Sequence, residues 1–576
     1  MDAPWPLRPA DDVEVARLAS ALKIPEPVAR VLWHRGLTGP ESAARFLSPS
    51  LSDMPDPFSM RGLAEASERI LKAIENQERV ALYGDFDVDG VTSSALMQGF
   101  LLHHGLRSRV YIPHRLEEGY GLNPAAMEQL AGEGIQLLVT LDCGITAVDE
   151  VERARQLGVE VIVVDHHRCP PEMPRAVATL NPHHPDCAYP DKVLAAVGVA
   201  FNLIVGVRKR LRESGFYQRS GIVEPNLKQA LDLVALGTIA DMVPLTGVNR
   251  MLAWFGLAEM AQARRPGLRA LMEVADVRPR KVRSQDVAFK LAPRINAAGR
   301  LDDASVGVQL LCAGRMDEAR RHAATLDAAN ADRRLIEAEV FAEADAQAEL
   351  HPDAPGVVVF DPEWHPGVVG IVASRLVEKY GMPSVVVGRN GRGSGRTAGA
   401  LHLYDALAAC DAHLVKFGGH RAAAGFRLGE GGFECFRRDL WSVLEAERAA
   451  IQDSAPTVEL DLSLSPESLS LDLVEGLARL GPFGVGNPEP ICGLAGPVRR
   501  AQVVGGQHLK LRFGEGPRPV SAIAFKQGAL ESSLGPGTQV DIAGCLEVND
   551  FGGFERVEVR VREIQLRAEQ PTALVG

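Results

Sequence analysis

The sequence lacks the cysteine spacing of a disulfide framework or of a zinc site. Its eight cysteines stand singly along 576 residues, with no C-x-x-C pair, and this favours a reducing cytoplasm. No apolar run approaches the roughly 18 residues that span a bilayer. No basic region followed by an apolar one opens the chain, so we expect neither a membrane anchor nor a signal peptide.

The composition is that of an ordinary globular protein, with 46% hydrophobic and 24% charged residues. A length of 576 residues suggests roughly three to five domains. The net charge of −12 is not that of a generic nucleic-acid binder, although phosphate binding requires only a local basic surface.

Three aspartates at alternate positions follow an apolar run at residues 79–83. That run favours a buried strand, and Asp85, Asp87 and Asp89 come where the strand leaves the core. Carboxylates this close repel one another, and a divalent cation such as Mg²⁺ or Mn²⁺ relieves the repulsion. On this stretch alone, a metal site and a solvated acidic loop are equally good interpretations.

Strands and helices alternate from about residue 79 to 165, which predicts βαβ units and a parallel sheet. Further apolar runs end at Asp142 and at Asp165-His166-His167. Because ligands bind at the carboxyl ends of parallel strands, these side chains should meet the first three aspartates at one edge, and this favours the metal site. Asp241 follows an apolar helical run, where an unpaired carboxylate is unfavourable, and becomes a further candidate ligand.

The second half of the chain predicts three more structural parts. Residues 315–350 lack Gly and Pro and should form one helix of roughly 50 Å that connects two lobes. Residues 356–387 alternate as a second α/β unit, and five strand-like runs after about residue 455 indicate an OB-like barrel, a common single-strand binder. The predicted fold class is therefore α/β, with two α/β domains joined by a long helix and a C-terminal OB-like β-barrel.

Three stretches carry candidate phosphate contacts. Between Arg278 and Arg300 seven basic residues face one acid, Asp286, which makes this the clearest candidate for contact with a phosphate backbone. The alternative is a basic face paired with acids elsewhere. The glycine-rich stretch 388–397 predicts backbone N–H groups that approach an anion. Lys510 and Arg512 alternate along a predicted strand, so they should share one face of it.

Four motifs resemble those of the DHH phosphoesterase superfamily, in the same order. They are Gly84-Asp85-Phe86-Asp87-Val88-Asp89-Gly90, Asp142, Asp165-His166-His167 and Gly237-Thr238-Ile239-Ala240-Asp241. Their order and spacing most resemble the branch of that superfamily formed by single-strand DNA exonucleases of the RecJ type. The resemblance implies a hydrolase that uses two ions of Mn²⁺ or Mg²⁺.

The same resemblance implies a role for each motif residue. Asp87 and Asp142, helped by Asp85, would hold one ion, and Asp89, Asp142, His166 and Asp241 would hold the other. His167 would lie beside the scissile phosphate, where it would stabilise charge or protonate the leaving oxygen. Asp165 would orient the histidine pair from behind.

The resemblance also implies DNA contacts and a domain order. The implied phosphate contacts are Arg115, Arg294, Asn296, Arg300, Ser394, Arg396 and His420, to which the barrel pattern adds Lys510 and Arg512. The expected domains are an N-terminal helical segment (1–50), the DHH catalytic domain (51–250), a basic segment with the connector helix (251–350), the DHHA1 domain (351–455) and the OB-like nucleic-acid-binding domain (456–576).

These patterns together predict a metal-dependent 5′-to-3′ exonuclease that hydrolyses single-stranded DNA in DNA repair and recombination. Polarity and DNA preference come from the resemblance alone. We also expect a monomer, with a RecQ-type helicase and a single-strand-binding protein as partners. The alternatives are a DHH/DHHA1 phosphodiesterase acting on oligoribonucleotides or cyclic dinucleotides, and a non-catalytic scaffold that binds single strands.

Overall fold

The computed structural model describes residues 5–115, 117–301, 303–399, 401–448, 458–517, 519–550 and 553–567. Within these ranges the predicted fold class is confirmed, because two α/β domains, a long connecting helix and a barrel follow one another along the chain. Among the residues described, no helical segment combines the length and the apolar character that a bilayer crossing requires.

Three short helices near the start of the chain share a core with the C-terminal barrel. They are α1 (Asp12–Leu22), α2 (Glu26–His34) and α3 (Pro40–Leu47). Val28 and Leu32 are buried in the same apolar cluster as Leu494 and Phe513 of the barrel. The predicted N-terminal segment therefore completes the core of a domain that lies more than 400 residues further along the chain.

The first α/β domain contains a wholly parallel sheet in the order β2-β1-β3-β4-β5. Its strands are β1 (Val80–Gly84), β2 (Ser108–Tyr111), β3 (Leu137–Leu141), β4 (Glu160–Val164) and β5 (Ala178–Leu180). Alternate residues of β1 face two apolar clusters, Leu82 on one side and Tyr83 on the other. Both faces of the sheet are covered by helices, and this is why its strands are continuous apolar runs in the sequence.

Helices pack on both faces of this sheet and extend to the second domain. They are α4 (Leu63–Asn76), α5 (Val88–His103), α6 (Pro124–Gly132), α7 (Val148–Gln156), α8 (Ala196–Glu213), α9 (Phe216–Ser220), α10 (Leu231–Ala240), α11 (Gly247–Met260), α12 (Pro266–Val274), α13 (Ser284–Asp286), α14 (Ala292–Leu301), α15 (Ser305–Cys312) and α16 (Met316–Glu349). Helix α16 is the predicted connector, and its 34 residues span about 50 Å.

The second α/β domain contains a mixed sheet in the order β6-β7-β8-β10-β9. Its elements are β6 (Val357–Phe360), α17 (Val369–Tyr380), β7 (Ser384–Val387), β8 (Arg392–Arg396), α18 (Leu403–Ala408), β9 (Leu414–Gly419), β10 (Ala423–Leu428) and α19 (Phe433–Ala446). The glycine-rich stretch forms β8, which pairs with β7 and β10 on its two sides. Residues 392–396 therefore do not form the expected anion-binding loop, because their backbone groups pair within the sheet. Glycine is needed at Gly393, where a Cβ would lie 2.2 Å from the ring of Phe426.

The C-terminal barrel contains every one of the five predicted strand runs. Its elements are β11 (Leu462–Ser463), α20 (Leu471–Ala478), β12 (Cys492–Val504), β13 (His508–Phe513), β14 (Val520–Ala524), β15 (Gln539–Asn549) and β16 (Arg556–Leu566). Strand β12 pairs with both β13 and β15, which closes the barrel. Lys510 and Arg512 share one face of β13, as predicted, since the alternating residues Leu509 and Leu511 point into the core.

Part of the basic stretch 278–300 is neutralised by the barrel. Arg278 and Lys281 both pair with Asp550 of the loop after β15, and Nη1 of Arg283 lies 3.7 Å from a carboxylate oxygen of Glu547. These ion pairs fit the alternative of a basic face paired with acids elsewhere, and phosphate contact by these residues stays a prediction. The ion pairs are contacts between the basic stretch and the barrel.

Candidate metal centre and nucleic-acid cleft

The loop after β1 presents three carboxylates at the carboxyl edge of the parallel sheet. Asp87 caps helix α5, since its Oδ1 accepts hydrogen bonds from the backbone N–H groups of Asp89 (2.9 Å) and Gly90 (3.2 Å). Gly90 is required because a Cβ there would lie 2.4 Å from the carbonyl oxygen of Asp85. This tight turn brings the three carboxylates to one place.

Side chains from four separate segments converge here into three overlapping groups of possible metal ligands. The groups are Asp85, Asp87 and Asp142; Asp89, His166 and Asp241; and Asp142, His166 and His167, with the ligand atoms of each group within 4.8 Å of one another. Nε2 of His166 lies 3.3 Å from Oδ1 of Asp142 and 3.6 Å from Oδ2 of Asp241. Asp142 belongs to two of the groups, as a ligand shared by two ions would.

The electrostatics of this pocket fit divalent cations. Burial and mutual repulsion raise the pKa values of Asp85, Asp142 and Asp241 above their ordinary range. Burial and the charge of His167 lower the pKa of His166 to about 4, so its imidazole is neutral and can bind a metal. Oδ1 of Asp85, Oδ1 of Asp142 and Nε2 of His166 are buried and find no hydrogen-bond partner among the residues that the structure describes. Such atoms are unfavourable unless something binds them.

The backbone at Asp142 is also unusual. Its φ of +66° lies in the left-handed region, which is uncommon for a residue with a Cβ and recurs at functional sites. Asp142 directly follows β3 and is only 2% exposed. The sheet and its loops therefore hold this carboxylate in a conformation that the isolated chain disfavours.

Asp165 accepts four hydrogen bonds, three of which hold the histidine pair. Its Oδ1 accepts from the backbone N–H groups of His166 (2.7 Å) and His167 (3.0 Å) and from Nδ1 of His167 (2.8 Å), and its Oδ2 accepts from the N–H of Ile145 (2.9 Å). Burial alone would raise the pKa of Asp165, but the hydrogen bond and charge of His167 bring it below the ordinary value. With Nδ1 engaged, Nε2 is the ring atom of His167 that can reach a substrate.

Two further side chains support the site without a clear signature in the sequence. Asn181 follows β5, and its Nδ2 donates to the carbonyl oxygen of His167 (2.8 Å). The Tyr120 hydroxyl donates to the carbonyl oxygen of Asp142 (3.3 Å), and its ring meets that of His167 edge-on. Asn181 follows the short buried strand β5, so the strand-end rule that located Asp142 is a weak signal that could have found it.

The start of helix α8 supports Asp89. The backbone N–H groups of Ala196 and Val197 donate to its two carboxylate oxygens at 2.6 and 2.9 Å. The positive end of a helix dipole stabilises an anion, so this contact holds Asp89 in position beside the other carboxylates. Nothing in the sequence around residue 196 indicates the contact, because it joins segments that lie 107 residues apart.

Three of the predicted phosphate contacts form a cationic cluster. Burial first, and then the nearby charges of Arg115, Arg333 and Arg396, lower the pKa of Arg300 to about 10. The Arg115 guanidinium lies 4.7 Å from the centre of the Phe86 ring. Nη1 of Arg396 donates to Oγ of Ser394 (2.9 Å). The first domain, helix α14 and strand β8 thus contribute to one site.

Comparison with known proteins decides the family. The N-terminal domain of the DHH family matches residues 79–238, the DHHA1 domain matches 353–446, and the RecJ OB domain matches 460–563. The single-stranded-DNA-specific exonuclease RecJ of Dickeya dadantii is 39% identical to this chain. The aligned region covers 94% of this chain and 96% of the Dickeya protein. The chain belongs to the RecJ family. The RecJ of Escherichia coli is 37% identical, with the same coverage of both chains.

A solved RecJ structure has the same architecture. RecJ from Thermus thermophilus in complex with Mn²⁺ matches with a TM-score of 0.81 at 32% identity, covering 98% of this chain and 79% of that chain. The resemblance to the DHH superfamily and to its RecJ-type branch is thereby confirmed.

Two predicted phosphate contacts of this RecJ family member have structural partners instead. Oδ1 of Asn296 accepts a hydrogen bond from the backbone N–H of Val88 (3.1 Å), so Asn296 supports the loop that carries the three aspartates. Nε of Arg294 donates to Asp327 of α16 (2.8 Å), and its side chain is only 11% exposed. The contacts of Arg294 therefore indicate packing of α14 against α16, and they do not support a phosphate contact.

The remaining predicted contacts lie in the DHHA1 and OB domains. His420 is exposed between β9 and β10, and Arg512 is exposed on β13. Nζ of Lys510 lies 3.3 Å from a carboxylate oxygen of Glu558. DNA contact by these three residues stays a prediction.

Proposed function

We propose that this protein is a metal-dependent exonuclease that degrades single-stranded DNA from its 5′ end, in DNA repair and recombination. The observation that carries the proposal is the convergence of Asp87, Asp142, His166 and Asp241 in one pocket of a RecJ family member. RecJ from Thermus thermophilus has been solved with Mn²⁺ and with Mg²⁺. Carboxylates suit both ions, and an imidazole among them favours Mn²⁺.

The chemistry divides between the ions and the chain. When bound, two divalent cations lower the pKa of a shared water and neutralise charge on the phosphodiester. Asp165 fixes the ring of His167 through Nδ1, so Nε2 is available to donate a proton to the leaving oxygen or a hydrogen bond to the phosphate. Asn181 and Tyr120 hold the backbone on either side of this ring.

The cationic cluster supports recognition of a strand end. Burial lowers the pKa of Arg115, and the nearby charges of Asp85 and Asp87 oppose that shift, so the cluster borders the carboxylate pocket. A terminal 5′-phosphate bound by Arg115, Arg300 and Arg396 would leave the adjacent phosphodiester at the metal centre. Guanidinium groups suit this role because they donate several hydrogen bonds to phosphate.

Digestion of labelled single strands tests the proposal. A 5′ label should be released as a mononucleotide in the first turnovers, a 3′ label should stay on shortening strands, and a circular strand should resist. Arg396→Lys should reduce the preference for a 5′-phosphate over a 5′-hydroxyl about 10- to 100-fold, the equivalent of one charged hydrogen bond of about 1.5–3 kcal/mol.

Arg389→Lys is the matched control, because Arg389 is exposed and its ion pair with Glu363 is loose, at 3.6 Å. Rapid cleavage of circles would contradict end recognition. Activity confined to dinucleotides in a length series would favour the oligonucleotide phosphodiesterase, and binding without cleavage at any Mn²⁺ or Mg²⁺ concentration would favour a scaffold.

The cellular setting is also proposed here. All eight cysteines lie within the described residues and are free thiols, which supports the cytoplasmic location expected from the sequence. A monomeric state, a RecQ-type helicase and a single-strand-binding protein as partners remain predictions.

A further inference from the structure

A closed turn lies between helix α20 and strand β12 of the barrel. Gly484 and Asn487 exchange two backbone hydrogen bonds, of 3.0 and 3.1 Å. Gly486, the third residue of the turn, has a φ of +70°, which favours glycine. The buried Asn487 side chain donates to the carbonyl oxygens of Leu480 (3.0 Å) and Pro482 (2.8 Å). The segment is therefore fixed from inside.

This turn packs directly on the first domain. The N–H of Leu245 donates to the carbonyl oxygen of Val485 at 2.7 Å. A Cβ on Gly486 would lie 3.1 Å from Cβ of Pro244, and a Cβ on Gly484 would lie 2.7 Å from Cδ1 of Leu245. The two glycines thus allow the turn to approach closer than side chains would permit.

The contacted residues directly follow a metal-ligand candidate. Asp241 caps the end of α10, and Met242 after it has a φ of +59° and a side chain that is 68% exposed. The exposed side chain of Met242 does not anchor this disfavoured conformation. Val243 packs against the core of the first domain. Beyond it, Leu245 is 2% exposed, and the carbonyl oxygen of Pro244 accepts a hydrogen bond from Asn249 (3.1 Å).

The same barrel segment also reaches the other side of the metal centre. Oγ of Ser284 donates to the carbonyl oxygen of Phe483 at 2.6 Å. Ser284 begins α13, from which a continuous helical stretch runs into α14. Helix α14 carries Asn296, which accepts from the N–H of Val88 in the loop of the three aspartates. Residues 483–487 therefore contact two segments beside the metal centre: the one that follows Asp241, at Leu245, and the helical stretch that leads to Asn296, at Ser284.

We propose that the turn Gly484–Asn487 is a positioning element that holds Asp241 in register with the other metal ligands. Through it, the seating of the barrel on the first domain sets the affinity of the metal centre. The inference rests on the proposed function, because it takes Asp241 as a ligand. Residues outside the ligand shell that orient a ligand typically change metal affinity about 10- to 100-fold when they are substituted.

The test is Mn²⁺ titration of the full-length protein, followed by the electron paramagnetic resonance signal of the free ion. Gly486→Ala strains the turn and presses on Pro244, so the apparent dissociation constant for Mn²⁺ should rise about 10-fold. Hydrolysis should be lost at low Mn²⁺ and restored at saturating Mn²⁺, which a general loss of folding would not allow. Asn487→Asp removes the two side-chain donors and should have the same effect without a change in backbone preference.

Gly381→Ala is the matched control, because Gly381 has a φ of +66° and a Cβ added there would meet no atom of the described residues within 4 Å. Wild-type Mn²⁺ affinity in both folded turn variants would overturn the proposal, as would an equal loss in Gly381→Ala. Asp241→Asn separates this failure from that of the proposed function. If Asp241→Asn leaves Mn²⁺ binding unchanged, the ligand assignment fails; if it weakens binding while the turn variants do not, only the positioning role fails.

Discussion

Replacing Asp165 by asparagine isolates the role of a single buried charge. The carboxylate is fully buried and accepts four hydrogen bonds, three at Oδ1 and one at Oδ2. Asparagine has nearly the same shape but only one accepting oxygen. If that oxygen takes the place of Oδ1, the amide group meets the N–H of Ile145, and two donors face each other in a buried site.

The structure sets the size of both effects. Loss of the Ile145 hydrogen bond, with its donor left unsatisfied, should lower the free energy of unfolding by about 2–3 kcal/mol. The acceptor of the hydrogen bond from Nδ1 of His167 changes from a charged carboxylate to a neutral amide oxygen. A charge-assisted hydrogen bond is stronger than a neutral one by roughly 1–1.5 kcal/mol. If His167 carries positive charge in the transition state, kcat should therefore fall about 5- to 13-fold in Asp165→Asn.

Asp232→Asn is the matched control. Asp232 is also buried, with its carboxylate accepting hydrogen bonds from the N–H of Leu233 and from the Arg265 guanidinium, outside the metal centre. Denaturant unfolding should show a comparable loss of stability in both variants, while kcat at saturating Mn²⁺ should fall only in Asp165→Asn. An unchanged kcat in folded Asp165→Asn, or equal losses in the two variants, would refute the orienting role of Asp165.

Two further predictions concern pH and the shared core. Burial and neighbouring carboxylates raise the pKa of Asp89 to about 7 and of Asp241 to about 9, so the folded metal-free chain binds protons that the unfolded chain has released. Protonation of these two groups favours folding below about pH 4, and this contribution to stability is lost as the pH rises to about 9. The increase in Tm on adding Mn²⁺ should therefore become larger as the pH rises. An increase in Tm that does not change with pH would contradict the assignment of Asp89 and Asp241 as metal ligands. Val28→Ala, in the core shared with the barrel, should lower the free energy of unfolding by about 2 kcal/mol. Val13→Ala, at a position 76% exposed, should leave it unchanged, and equal effects would contradict the shared core.

The metal centre could be located from the sequence because one topological rule governs it. Asp142 and Asp165 end apolar runs, and parallel strands bring their carboxyl ends to one edge. Local periodicity of this kind depends only on neighbouring residues and on the burial of each strand face. The connector helix and the barrel strands follow equally local patterns, and they too form where the sequence indicates.

Partner choice between distant segments could not be found in this way. The basic residues Arg278 and Lys281 have the composition of a phosphate-binding surface, yet both pair with Asp550 of the barrel. Gly393 lies in a stretch with the composition of an anion-binding loop, yet it pairs within a sheet. Glycine is needed there because the Phe426 ring occupies the space that a Cβ would take. Charge and backbone flexibility follow from the type of residue and can be known from the sequence. The partner that a residue contacts depends on how distant segments pack.

The sequence by itself determined the order of the domains, the parallel sheet and the set of candidate metal ligands that meet at its edge. Only the tertiary structure decided that Arg115, Arg300 and Arg396 lie near one another and that the first helices complete the barrel core. It also decided that residues 483–487 contact the segments around Leu245 and Ser284, beside the metal centre. The physical reason is the range of the interactions. Hydrophobic periodicity and turn preference act over a few residues, while close packing and charge pairing select partners hundreds of residues apart.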